Sequence, residues 1–232
     1  MTSKSIFHHL GILALAACSS FAQGAAPDSR FQAHCEKKLA RTNIKIEVRP
    51  AKVAIDHTKS IAELTQMANR MQDFTVGLTQ STMGTSARWK NNSIVDNRRD
   101  MACMRPDITI ILSIKPHTVY VAREFAAGSC AYQEILAHEQ AHVRVNEQYL
   151  ASTGKWLSEN LKKHFGNQIY YGQYDLLSSQ LSQAIEQGWI ADAQAVYQEN
   201  KIAHERIDSP QEYARTSAAC NGAIDSALRR FK

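Results

Sequence analysis

His138-Glu139-Gln140-Ala141-His142 sets two imidazoles four residues apart, with a carboxylate directly after the first. On a helix, residues four apart sit about 40° apart round the axis and one turn along it. Two imidazoles so placed converge on one metal ion. Glu139 lies about 100° round from His138, so it need not compete as a ligand. It can instead reach a water on that ion. This is the H-E-x-x-H arrangement of zinc hydrolases. Zinc lowers the pKa of its water, and the carboxylate takes the proton as the water attacks an amide carbonyl. With 9 histidines in 232 residues, the pattern is expected by chance only about 0.02 times in a chain of this composition. The bland alternative is two surface histidines beside an incidental glutamate.

The motif needs a helix, and the surrounding sequence supplies one. Ile135, Leu136, Val143 and Val145 give it apolar flanks. Ser129 to Tyr149 reads as one helix that can run past Gly154 towards His164. A half-buried strand at His117–Glu124 comes just before it, and zinc-peptidase folds set an edge strand beside the active-site helix to pair with substrate. Earlier strands are expected at Asn43–Val48, Val53–Asp56, Ala87–Asn91 and Asp107–Ile114, with Pro116 ending the last. Gly77 to Ser86 is Gly/Ser/Thr-rich and reads as loop. Ser60 and Glu63 form a capping box for a short helix. Tyr174–Ala203 has helical spacing with a bend at Gly188. Ser209-Pro210-Gln211-Glu212 opens a last helix that runs to about Arg230. The expected class is α+β: a small, mostly antiparallel sheet, then a helical half carrying the metal motif, in one domain over residues 28–232.

Residues 1–22 read as an export signal: an early Lys4, an apolar stretch from Leu10 to Ala17, then small residues. Two cleavage readings compete. Leu15-Ala16-Ala17-Cys18 resembles a lipobox, which would make Cys18 a lipid anchor. Ser20-Phe21-Ala22 suits ordinary signal peptidase. Either route leaves Cys35, Cys103, Cys130 and Cys220, an even set for an oxidising compartment such as the periplasm. The expected pairing is Cys103–Cys130 and Cys35–Cys220. The net charge of +5 is spread without a Lys/Arg block, which gives no footprint for nucleic acid. No apolar run reaches the roughly 18 residues of a spanning helix.

With V-Y-V-A-R-E (119–124), G-S-C-A-Y (128–132), H-E-Q-A-H (138–142), and Val53 to Met71 followed by Gly77-Leu78-Thr79, the chain resembles the predicted secreted zinc-dependent proteases of bacteria, within the wider zincin group. The resemblance spans roughly residues 43–220. It implies a zincin-like fold, a Zn2+ cofactor and a peptide or protein substrate.

A catalytic zinc needs a third protein ligand. The metzincin extension is absent, because Val145 and Gln148 stand at its Gly and His positions. Glu147 is turned away from the metal face. Glu159 comes nearest to the thermolysin-like spacing but falls short of it, and His164 is another option. The resemblance favours His204, since the family pattern ends in a Tyr followed by a His, as in Tyr197 to His204 with one extra residue here. His204 also precedes the helix start at Pro210, where a returning chain can meet the motif. Asp208 and Glu212 are alternatives, and Asp208 can also orient a ligand imidazole. Tyr213 is a candidate donor to the oxyanion, against a plain packing role. The leading expectation is an exported zinc metallopeptidase with Glu139 as general base. Its rivals are a zinc amidase acting on cell-wall peptides and a non-enzymatic envelope protein with a structural metal.

Overall fold

A computed structural model describes residues 27–69 and 74–231. The export signal, with Cys18, lies outside these residues. Strands β1 (Ile44–Pro50), β2 (Ala54–Asp56), β3 (Gly77–Asp96), β4 (Met101–Val121) and β5 (Tyr170–Gly172) form one sheet. Helices are α1 (Ser29–Lys38), α2 (Ile61–Met67), α3 (Cys130–Phe165), α4 (Tyr174–Gln183), α5 (Ala191–Ile207) and α6 (Pro210–Leu228). A π-helical stretch, Ala184–Ile190, joins α4 to α5 around Gly188. The class is α+β, as expected.

β4 organises the sheet. Along one edge it pairs antiparallel with β3 over nearly its whole length. Along the other it takes β5 at Ala102–Met104, β1 at Ile108–Ile114 and β2 at Thr118–Tyr120, in that order. β1 and β2 run parallel to β4, so the sheet is more mixed than expected. Two readings of the sequence are corrected here. The segment 77–86 is strand, because the apolar, β-branched β4 recruits it through backbone hydrogen bonds whatever its composition. Pro116 does not end β4: it falls where the β3–β4 register shifts between Ser81 and Met83, a bulge that needs no amide from it.

Alternate residues of β4 build the core. Ile108, Ile110, Leu112 and Ile114 face Leu150, Leu157, Leu161 and Phe165 of α3, with Leu177 and Leu181 of α4. Each such side chain contributes roughly 1.5–3 kcal/mol on burial. α3 has 36 residues, about 54 Å at the α-helical rise. Ser129 caps its start by accepting from the Tyr132 amide. Gly154 lets it lie close to β1, since a Cβ there would stand 2.7 Å from Val48 Cγ2. The capping residues read from sequence also hold: Ser60 and Glu63 close a full capping box on α2, and Ser209 accepts from the Glu212 amide at the start of α6. α5 runs on to Ile207, beyond the expected end at Ala203.

The disulfides are Cys35–Cys103 and Cys130–Cys220, which corrects the expected pairing. Cys103 sits near the start of β4 and Cys130 follows its far end. The 18 strand residues between Cys103 and Val121 span roughly 60 Å, too far for one bridge to cross. The first bridge instead ties α1 to β4, and the second ties the head of α3 to Cys220, in a non-helical break at Ala219–Gly222 that interrupts the last helix, expected to run unbroken to about Arg230. Two disulfides point to an oxidising, exported environment. Among the described residues no helix is long and apolar enough to cross a membrane. Cys35–Cys103 closes a loop with a sequence separation of 68. Replacing both cysteines by alanine is expected to cost about 2–5 kcal/mol in urea unfolding. Full stability in that variant would show that the bridge adds nothing.

Candidate metal centre

The buried stripe of α3 changes character along its length. Its C-terminal half is apolar apart from Thr153, which donates to the Tyr149 carbonyl, whereas its N-terminal half buries Glu139, His142 and Asn146. Polar side chains in that position call for partners, and β3, α5 and α6 bring them. Asp208 is the residue that ends α5, and its amide donates to the His204 carbonyl. Ser209 caps α6 one residue later. The two helix ends therefore fix Asp208 in a short connection that faces the motif.

His138 Nε2 lies 3.2 Å from Asp208 Oδ1, His142 Nε2 lies 3.2 Å from the same oxygen, and the two Nε2 atoms are 3.3 Å apart. These three residues form a group that could hold a metal ion. Two imidazoles and a carboxylate are a common donor set for zinc. The spacing also fits, because a tetrahedral site with bonds of 2.0–2.1 Å has edges of about 3.3–3.4 Å. Three such donors leave a fourth position free.

His204, expected as the third ligand, is not in this group. Its Nδ1 is 2.7 Å from His142 Nδ1, and its Nε2 is 3.0 Å from Asn146 Oδ1. Both ring nitrogens are thus engaged behind His142. Glu159 is paired with Lys155 on the outside of α3, and His164 packs against Phe165 and Trp189. Glu212 Oε1 is 3.7 Å from His138 Nδ1, within ion-pair reach and beyond a hydrogen bond. Tyr213 lines the cleft, and its hydroxyl is a partner of the Asp208 carboxylate. A phenol carries one proton, so donation to an oxyanion would require that bond to break.

Glu139 is 5% exposed. Thr79 Oγ1 donates to its Oε2 at 2.7 Å and lies 3.0 Å from its backbone carbonyl. Burial pushes the Glu139 carboxyl up from its ordinary value, against the opposing pull of Thr79 and the two imidazoles. Burial acts on Asp208 in the same sense, but the hydrogen bonds from His138 and His142 outweigh it and hold Asp208 well below the carboxylate range. The Asp208 hydrogen bond raises His138 despite burial. Burial, with the neighbouring His142, lowers His204 against the opposing pull of Asp208. One site thus holds one carboxyl kept below its ordinary value and a second pushed above it.

These groups share a cleft of about 800 Å³. The strand expected beside the motif, His117–Glu124, is the interior end of β4. Among the described residues β3 pairs only with β4, so β3 is the edge strand, and its residues Gly77, Leu78 and Thr79 line the cleft. Gly77 is required there. A Cβ would stand 2.6 Å from Glu139 Oε1 and 2.6 Å from Ile135 Cγ2. Gly77→Ala is expected to displace the carboxylate and lower stability by about 1–3 kcal/mol in urea unfolding. Unchanged stability would mean that the strand gives way at no cost.

Asp208 was legible in the sequence only as one acid among several, because its place depends on where α5 stops. Gly77 and Thr79 stood out in the sequence only within the Gly77-Leu78-Thr79 part of the resemblance and with no role, since their segment lacks strand periodicity. Compared with protein-family models, curated protein sequences and solved structures, the chain shows no match.

Proposed function

We propose that this protein is an exported zinc-dependent peptidase, with His138, His142 and Asp208 as metal ligands and Glu139 as general base. The observation that carries the reading is the triangle of His138 Nε2, His142 Nε2 and Asp208 Oδ1, with edges of 3.2–3.3 Å, in the same cleft as a buried carboxyl. When bound, zinc supplies Lewis acidity and brings the pKa of a coordinated water to near 7. The chain supplies the rest. The raised Glu139 carboxyl accepts a proton from the attacking water and returns it to the leaving amine nitrogen. Thr79 holds that carboxyl in one orientation. The free edge of β3 at Gly77–Thr79 offers backbone groups to an extended peptide, which would add as a strand.

The test is elemental mass spectrometry on the untagged mature chain made in an oxidising compartment, followed by digestion of an unbiased peptide mixture with and without chelator. About one zinc per chain and chelator-sensitive cleavage are expected. A chain that takes up no zinc on dialysis, or whose cleavage ignores the chelator, would refute the proposal. Cleavage confined to cell-wall peptides would assign the same chemistry to an envelope amidase.

A further inference from the structure

Behind His142, side chains from three elements form a continuous hydrogen-bonded path. Asn200 Nδ2 lies 3.9 Å from Met83 Sδ and donates to Asn146 Oδ1 at 2.8 Å. Asn146 Nδ2 donates to Ser81 Oγ at 3.1 Å. His204 Nε2 is 3.0 Å from Asn146 Oδ1, and His204 Nδ1 is 2.7 Å from His142 Nδ1. Asn146 and Asn200 are each 5% exposed, so a donor facing a donor along this path has little water to turn to.

Proton positions follow from one end of the path. A thioether only accepts, which sets the amide of Asn200 with its NH2 towards Met83 and Asn146. The atom of Asn146 facing that NH2 is then the carbonyl oxygen. A carbonyl oxygen only accepts, so His204 must carry its proton on Nε2. A His142 that ligates through Nε2 carries its proton on Nδ1, and at 2.7 Å the partner of that proton must be the lone pair of His204 Nδ1. That bond keeps His142 Nε2 turned towards His138 and Asp208, where a bound metal would take the place of the proton that Nε2 shares with Asp208 in the metal-free protein.

We infer that His204 is a positioning residue that locks His142 in its Nδ1–H tautomer, with Asn146 setting the tautomer of His204 in turn. The inference rests on the metal-centre reading above. It gives His204 a role distinct from ligation: it prepares a ligand and touches neither metal nor substrate. An outer partner on the second ring nitrogen fixes a ligand histidine's orientation and raises its basicity, and losing one typically costs 10–100-fold in metal affinity.

Zinc affinity of the full mature chain, measured by competition with a chromophoric chelator, tests this. His204→Phe and Asn146→Leu are each expected to weaken binding about 10–100-fold, and the double variant no further than the worse single one. His204→Asn, which keeps an acceptor facing His142, should recover part of the loss. The visible spectrum of the cobalt(II)-loaded protein should keep its intensity and band positions in His204→Phe, because no ligand has been removed. In the unaltered zinc-loaded protein, imidazole nitrogen shifts should show a protonated Nδ1 on His142, a reading that needs no variant to fold. A His204→Phe affinity within twofold of wild type, losses that multiply in the double variant, a changed cobalt spectrum, or metal on His142 Nδ1 would each overturn the inference. A wild-type chain that binds no zinc would instead overturn the metal centre itself.

Discussion

Glu139→Gln is expected to lower turnover by about 10²–10⁴-fold while the chain keeps one zinc ion. That range is what a positioned general base contributes. Glutamine has nearly the same shape, and it can still accept the Thr79 hydrogen bond that Glu139 Oε2 accepts at 2.7 Å. It cannot take a proton from water. Because Glu139 lies outside the His138, His142, Asp208 group, the substitution separates proton transfer from metal binding. Parallel measurement of zinc content and peptide cleavage checks it. Loss of zinc along with activity would make Glu139 a ligand. Full activity would remove it from the chemistry. The wild-type pH profile adds a second check. Since burial raises the carboxyl, activity should fall on the acid side at a pH above the ordinary glutamate value, and Glu139→Gln should lack that limb.

Asp208→Ala is expected to reduce zinc affinity by at least about 100-fold, beyond the 10–100-fold typical of residues that only orient a ligand. It removes the oxygen lying 3.2 Å from both His138 Nε2 and His142 Nε2. Two ligands would remain where a catalytic site needs three. Chelator competition measures the change, and an affinity loss smaller than that of His204→Phe would give the third corner back to His204. Asp208 also has a signature in the metal-free protein. Its folded pKa is depressed, so its stabilisation is present above the ordinary aspartate pKa and is lost as pH falls through the folded value. The folded pKa of His138 is raised, so its contribution is present below about 6.5, the ordinary histidine value, and is lost as pH rises through the raised value. The pair should therefore stabilise metal-free protein most between the two ordinary values. Asp208→Ala should flatten that maximum in urea unfolding followed across pH.

What the sequence determined by itself was local. The two histidines and Glu139 share a helix because i and i+4 positions share a face whatever surrounds them. Ser60 with Glu63, Ser129, and Ser209 with Glu212 end or start helices through bonds three residues long. Two pieces of β4, on either side of Pro116, and the long reach of α3 could also be read directly. Tertiary structure decided everything that joins distant segments. Asp208 stands 66 residues from His142, and it faces the motif only because α5 ends at Ile207. His204, one turn earlier on the same helix, falls behind His142 for the same reason. Cys35 and Cys103 meet because α1 packs on the start of β4, whereas the length of β4 keeps Cys103 and Cys130 apart. Residues 77–86 have no strand pattern of their own, and became the edge beside Glu139 because β4 offered a free row of amides and carbonyls. Short-range order follows from covalent spacing. The partners of a site follow from where long elements stop, and that depends on how the whole core packs.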